Sequence, residues 1–348
     1  MLSQKTILFT ILISCCIPLL LRAQTKDSTK TIEVLHADKW NMIRDSKVGN
    51  KQRLLGAVRA KHEQTLFFCD SAYIYGQNND IEAFGHVIIE MNDSVKIYAD
   101  YLKYNATSRQ ALLKDNIVLH NRNKRLYTND MAYDRNTGMA NYWIWGKLVD
   151  STNILTSTKG YYYSREKLAK FKDNVNVQTP EYTIKSDTIE YNTEQKIVRF
   201  SSPTTLHGDS VYAYAENGFY DQLNKDLVLK QNADIHRKTN TIQGDSLYMN
   251  DSLGIARGKG NITLSDTAKH VEIHGQQVYY NKFEKQAWAT NKAFGQYNGQ
   301  QDTMYIHADT LKLILDSVEQ PKQLLAFQEM RFFSHQIQGM ADSLCYHL

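Results

Sequence analysis

The chain has 348 residues, with 41 Lys and Arg against 37 Asp and Glu, 22 Tyr, 12 Phe, 4 Pro and 4 Cys. A mean hydropathy of −0.51 excludes a multi-span membrane protein, and so many aromatic side chains exclude a solvated, disordered chain. A net charge of +4 is small for a dedicated nucleic-acid binder of this length, so no nucleic-acid partner is expected.

Residues 1–23 read as a signal peptide. Lys5 gives the positive start, 7–21 is apolar, and Ala23 offers a small residue for cleavage before Gln24. Cys15, after Leu12-Ile13-Ser14, offers a lipoprotein signal as the alternative. The apolar run 16–21 would be an odd start for a mature lipoprotein, so the cleaved signal is preferred and export is expected. Export allows disulfides, and cleavage leaves Cys69 and Cys345. They lie nine repeat units apart, on the order of 40 Å at ~4.8 Å per strand layer, too far for a bridge. Both are expected as small buried apolar residues.

From residue 24 to 348 one phrase recurs: a small residue, an acid, then apolar positions two and four residues on. It reads Ala99-Asp100-Tyr101-Leu102-Lys103-Tyr104, Ser186-Asp187-Thr188-Ile189-Glu190-Tyr191, Gly244-Asp245-Ser246-Leu247 and Ala308-Asp309-Thr310-Leu311. Asp70, Asp130, Glu216 and Asp342 head further copies, Lys159 and Gln276 head two degenerate ones, and Ala37-Asp38 begins an earlier one. Such a period means one stacked architecture, about ten repeats of roughly 29 residues, with a division into two tandem modules (33–190 and 191–348) left open.

The second half of each unit alternates apolar and polar residues: Ile117 and Leu119 after Asp115, Val175 and Val177 after Asp173, Ile235 after Gln231, Ile262 and Leu264 after Gly260. Period two means strand with one buried face, so the fold class is all-β. Apolar residues also sit three before each anchor. Three before and two after are five apart, which in a straight strand would point to opposite faces. A one-residue irregularity at the anchor puts both on one interior. Asp70, Asp100, Asp130, Asp187, Asp245, Asp309 and Asp342 are therefore assigned to a structural corner, where a carboxylate could accept from free backbone amides.

The expected interior includes Leu102, Ile189, Leu206 and Leu247 with the second-half residues above. Tyr104, Tyr163, Tyr191, Tyr220 and Tyr280 share one unit position and would form a ladder along the interior or its rim. If the two sheets close, these residues make an ordinary core. If one side splays they make an apolar trough, where acyl chains gain roughly 0.8 kcal/mol per methylene. Trp143 and Trp145 share a strand face, as buried wedge or lipid contact.

These units resemble the OstA-like family, the periplasmic lipopolysaccharide-transport proteins related to LptA and the N-terminal domain of LptD. The resemblance covers roughly 33–348. It implies an elongated, antiparallel, V-shaped β-jelly roll whose groove carries acyl chains. The implied partners are lipopolysaccharide or a related lipid, and other OstA-like or Lpt rolls, or a second copy, joined by edge-strand pairing. It also implies a periplasmic place, with outer-membrane association as an extension. The last unit stops soon after Asp342, which would leave an unpaired edge for such pairing.

Other classes fare worse. His270, Glu272 and His274 share a strand face but lack the helical spacing of a zinc site. His120, His207 and His236 recur at one unit position and read as edge residues. Acids repeated at every unit behave as corners rather than as the local pair of a glycosidase. No nucleophile or phosphate-binding motif appears, so neither catalysis nor a cofactor is expected. A structural or adhesive repeat protein with a closed core is the alternative, ahead of a carbohydrate-active β-solenoid enzyme.

Overall fold

The computed structural model describes residues 31–347 apart from 46–48, 77–78, 93–94, 300–301 and 318–320. The proposed signal segment and Cys15 lie outside the described residues. Among the described residues every regular element is a strand, 26 in all.

Long strands pair antiparallel with the strands before and after them in sequence. Val95–Asn105 pairs with Gln110–Asn121, and that strand with Lys124–Asp134. The pattern resumes from Asp226–Arg237 to the last strand, Gln338–His347. Between them the ladder continues through shorter pieces, such as Met139–Tyr142 and Gly146–Asp150. A ladder that advances in one direction gives an elongated, repeat-like molecule. Side-chain turns close its hairpins: Asn192 Oδ1 accepts the Glu194 and Gln195 amides at 3.0 and 2.8 Å, and Asp221 and Asn281 do the same.

Each long strand bends once, and the bend has two sides. On Val95–Asn105 the buried positions are Val95, Ile97, Ala99 and then Leu102 and Tyr104, so the inward parity flips between Ala99 and Leu102. The neighbouring Gln110–Asn121 keeps its parity and points Lys114, Asp115 and Asn116 outward together. Two outward residues on one strand face three on the next, which folds the ladder into two half-sheets around one interior. The predicted bend is therefore present. The extra residue, however, lies on the following strand and not at the acid. Two successive residues there have positive φ: Gly85-His86, Asp115-Asn116, Asp173-Asn174, Gln231-Asn232 and Gly260-Asn261. Asn and Asp tolerate this conformation, and Gly adopts it freely. Gly85 has a second reason, because a Cβ there would collide with the Asp70 carboxylate.

The acid sits over that bulge. Its carboxylate takes side-chain partners sixteen residues on, where backbone amides were expected: His86 Nδ1 on Asp70 at 2.8 Å, and Asn116 and Asn261 Nδ2 on Asp100 and Asp245 at 2.6 and 3.1 Å. Asp70, Asp100, Asp187, Asp245, Asp309 and Asp342 are each skipped in the pairing with the preceding strand, as a corner residue is. Asp130 is not. It pairs in register with Lys114, and Asn129 is the skipped residue. Likewise Thr158, not Lys159, donates its amide to the bulge carbonyl of Asp173 (2.9 Å), as Glu216 does to Gln231 (3.1 Å). In both units the corner residue is uncharged, and the charged neighbour drew the assignment one position too far.

Candidate functional site

The interior between the half-sheets is continuous. Buried apolar side chains run from Leu54 through Leu102, Leu113, Ile117, Val177, Ile189 and Leu229 to Ile262 and Met330. Of the predicted interior residues, Leu102, Tyr104, Ile117, Leu119, Val175, Val177, Ile189, Tyr191, Leu206, Tyr220, Ile235, Leu247 and Ile262 are buried there. Leu264 and Tyr280 are only half-buried.

Tyr163 is placed differently: Tyr162 is buried and Tyr163 faces outward. The run Tyr161-Tyr162-Tyr163 hides which ring faces in, and the misplaced anchor at Lys159 shifted the choice. The inward position then reads Tyr104, Tyr133, Tyr162, Tyr191, Tyr220 and Met249, each 29 residues after the last. Tyr133, Tyr162 and Met249 are members that sequence reasoning missed, and this spacing was the signal.

These tyrosines end at the side of the interior away from the corner, where the half-sheets would otherwise part. Their phenols bond across that mouth to turns of the opposite half-sheet. His62 Nδ1 meets Tyr104 Oη at 2.8 Å, and Asn121 Nδ2 donates to Tyr162 Oη at 3.2 Å. Tyr191 Oη donates to Asp150 Oδ2 at 2.8 Å, and Lys196 Nζ reaches the same oxygen at 2.6 Å. Asn153 Nδ2 donates to Tyr191 Oη and to Gln222 Oε1, both at 2.9 Å. Tyr220 Oη donates to Glu181 at 3.0 Å, beside the Lys225–Glu181 ion pair. Glu63 holds Arg109 and Arg135, and Arg237 meets Asp251 at 3.0 Å.

Partners in these bonds stand mostly 38 to 46 residues apart in sequence, too far to be ladder neighbours. They act as latches. Burial pushes the Tyr162 phenol up to about 12. It raises Tyr191 as well, with the Asp150 charge adding to the rise, so both phenols stay protonated at neutral pH, Tyr191 donating to Asp150 and Tyr162 accepting from Asn121. At Glu181 burial works to raise the carboxyl, but hydrogen bonds from Lys225 and Tyr220 outweigh it and hold it below the usual range.

The ends of the interior differ. Toward the C-terminal end the mouth carries the Arg237–Asp251 pair. Beyond it the inward positions Leu264, Ile273, Ile306, Leu324, Phe332 and Leu344 are only partly buried. Near the N-terminal end Trp40 pairs with the fully buried Leu54 yet is 57% exposed. The middle is sealed, whereas toward the C-terminal end the side chains near the corner (Ile262, Ala293, Ala308, Met330) stay buried and those toward the mouth are only partly covered.

The remaining predicted features fall outside this interior. Cys69 is buried as expected, and burial pushes its thiol up to about 12, but Cys345 is exposed; both are free. Trp143 and Trp145 are exposed, so neither is a buried wedge; with Ile144 they form the outward bend between two strand pieces. His120, His207 and His236 pack against the rings of Tyr98 and Tyr212 on the outer surface. His274 pairs with Glu272 at 2.8 Å, and among the described residues no group of three or more His, Cys, Asp or Glu could hold a metal ion.

Residues 29–187 match the family of OstA-like proteins, and residues 155–254 match the LptA/(LptD N-terminal domain) LPS transport proteins. Among solved structures, one similar chain is LptH of Pseudomonas aeruginosa, described as the LptA-homologous periplasmic component of the lipopolysaccharide transport device. It is 14% identical over 31% of this chain and 75% of its own, with a TM-score of 0.28. No curated protein matches.

Proposed function

Because the chain belongs, over residues 29–254, to the OstA-like and LptA/LptD N-terminal-domain family, we propose that it carries lipopolysaccharide or a related lipid across the periplasm, acyl chains held between its half-sheets. A periplasmic lipid-transport role is supported by that membership; the groove mechanism is our reading. In it, the chain is an elongated V-shaped β-jelly roll of about ten repeats. Residues 1–23 direct export and 24–348 form one continuous roll. Other Lpt-type rolls, or a second copy, join by edge-strand pairing.

The observation that carries the proposal is the unsealed apolar interior beyond Asp251. A strand ladder with period-two burial gains stability by closing its apolar face. Here the mouth-side part of that face stays half-exposed over several successive strands, while its corner side is buried. An apolar surface of this extent marks a place where another apolar body sits, and a trough open along one side admits an acyl chain sideways. The interior assigns no catalytic role to any residue.

The sealed middle, taken by itself, favours the competing reading of a structural protein with a dry core. Photo-crosslinking residues at Leu264 and Ile306, in the exporting host, separate the two. We expect lipid adducts from both and none from the outward Glu190. Silence at both inward positions in folded, exported protein would favour the dry core.

A further inference from the structure

A second concave surface lies on the opposite side of the same strands, on the outer face of the ladder. It is a groove of about 490 Å³ lined by Tyr248, Arg257, Lys259, Gln277, Tyr279 and Trp288, with backbone beneath. That volume falls in the ~300–1,000 Å³ range of small-molecule sites.

Its residues come from cross-strand pairing. Tyr248 stands opposite Arg257, Arg257 opposite Tyr279, and Tyr279 opposite Trp288. The Arg257 guanidinium lies 5.8 Å from the Tyr248 ring and 5.6 Å from that of Tyr279. The Tyr279 and Trp288 rings stand 5.2 Å apart and are tilted by 34°, a splayed pair. Two bonds fix the wall: Tyr248 Oη donates to Asp226 at 2.8 Å, and Asn281 Nδ2 donates to Tyr279 Oη at 3.0 Å.

The groove has a definite chemistry. Two cations line it and no carboxylate does. Neither Arg257 nor Lys259 forms an ion pair among the described residues. A guanidinium flanked by two rings at this distance keeps its N–H groups for a planar or tetrahedral anion. Trp288 and Tyr279 offer π surface, whose negative face attracts the weakly positive C–H face of a pyranose. Gln277 can both donate to and accept from hydroxyls. A bare inorganic anion would leave the aromatic half unused, and an uncharged sugar would leave the cations unused.

We propose that this outer groove binds a phosphorylated sugar, phosphate on Arg257 and Lys259, ring against Trp288 and Tyr279. The site is separate from the interior and does not depend on the lipid reading. A free sugar phosphate and the headgroup of a glycolipid share this chemistry.

Saturation-transfer NMR on the full exported chain tests it with glucose 6-phosphate, with glucose as the uncharged control and inorganic phosphate as a competitor. The pyranose protons of the phosphorylated sugar should receive saturation, with affinity exceeding that of glucose, and inorganic phosphate should displace it only at higher concentration. Arg257→Gln and, separately, Lys259→Gln should each weaken binding about tenfold with an unchanged circular dichroism spectrum. Sedimentation with phosphatidylcholine vesicles, with and without a phosphoglucosamine lipid, separates the sources. Binding of the doped vesicles alone, lost in both variants, assigns the headgroup; binding of the free sugar phosphate assigns the soluble ligand. No binding of either probe, or binding unchanged in both variants, overturns the proposal. Crosslinks from Leu264 report on the interior alone, so the two readings can fail separately.

Discussion

The middle of the molecule, 54–235, and its C-terminal stretch, 255–347, are built from the same repeating phrase and the same corner. They differ at the mouth. In the middle, phenols at the inward position reach polar groups on the opposite half-sheet, and Leu102, Ile189 and Tyr191 lose all contact with solvent. In the C-terminal stretch the ladder continues strand by strand with the same corner bulge, yet Leu264, Ile306 and Leu324 remain partly exposed. The corner therefore makes an interior and the rim decides whether it is a core or a trough. A repeat protein can grade one into the other along its length by changing a single position per unit.

Packing gives the largest test of that contrast. Leu102→Ala should cost about 3 kcal/mol in urea unfolding, because the site is closed on all sides and leaves a cavity. Leu264→Ala should cost about 1 kcal/mol, because part of that side chain already faces solvent. Equal costs would mean that the two regions are packed alike and that the contrast is wrong.

Removing a latch comes next. Asp150 is fully buried and holds both Lys196 and Tyr191. Asp150→Asn leaves a largely buried ammonium without its counter-charge. The expected cost is about 2–3 kcal/mol, below the usual range for a broken buried pair because Lys196 keeps some solvent contact. If the rim sets the state of the interior, a crosslinker at Ile189 that is silent in the parent should become reactive to lipid in this variant. A parent-like pattern would place the seal elsewhere, in the apolar packing itself.

Most of the architecture was legible because burial with period two and a fixed repeat are both written in the chain. Ile97 and Leu102, five apart, even reveal the bend. Two things were not legible. The position of the extra residue depends on which strand adopts positive φ, and Asp115-Asn116 reads equally well as a strand start. Most of the latches join residues 38 or more apart, such as Asn153 and Tyr191, and no local pattern couples them. The Tyr161-Tyr162-Tyr163 run shows the limit in one place, since three like residues carry no phase. Tyr162→Phe should cost about 1 kcal/mol through the lost bond to Asn121. Tyr163→Phe should cost less than about 0.5 kcal/mol. Thermal unfolding of the pair checks the assignment, and the reverse order would restore Tyr163 to the interior.

The smallest effect is one of pH, and it concerns the Glu181 latch toward the C-terminal side of the sealed middle. Glu181 is held below its ordinary value of 4.5 because Lys225 and Tyr220 outweigh its burial. As pH falls, the unfolded chain takes up this proton first. The latch therefore contributes its full stability above about pH 4.5 and loses it as pH falls through the folded value. About a third of the Glu181 side chain is exposed, so screening keeps the contribution below about 1 kcal/mol. Glu181→Gln removes the titration but keeps an acceptor for Tyr220. Unfolding midpoints of parent and variant should differ at pH 7 and converge toward pH 3, with added salt shrinking the difference at pH 7. A difference that stays constant with pH would mean that the Lys225–Glu181 pair does not hold the mouth and that Tyr220 alone closes it. At this unit the mouth would then be closed by hydrogen bonding, not by charge.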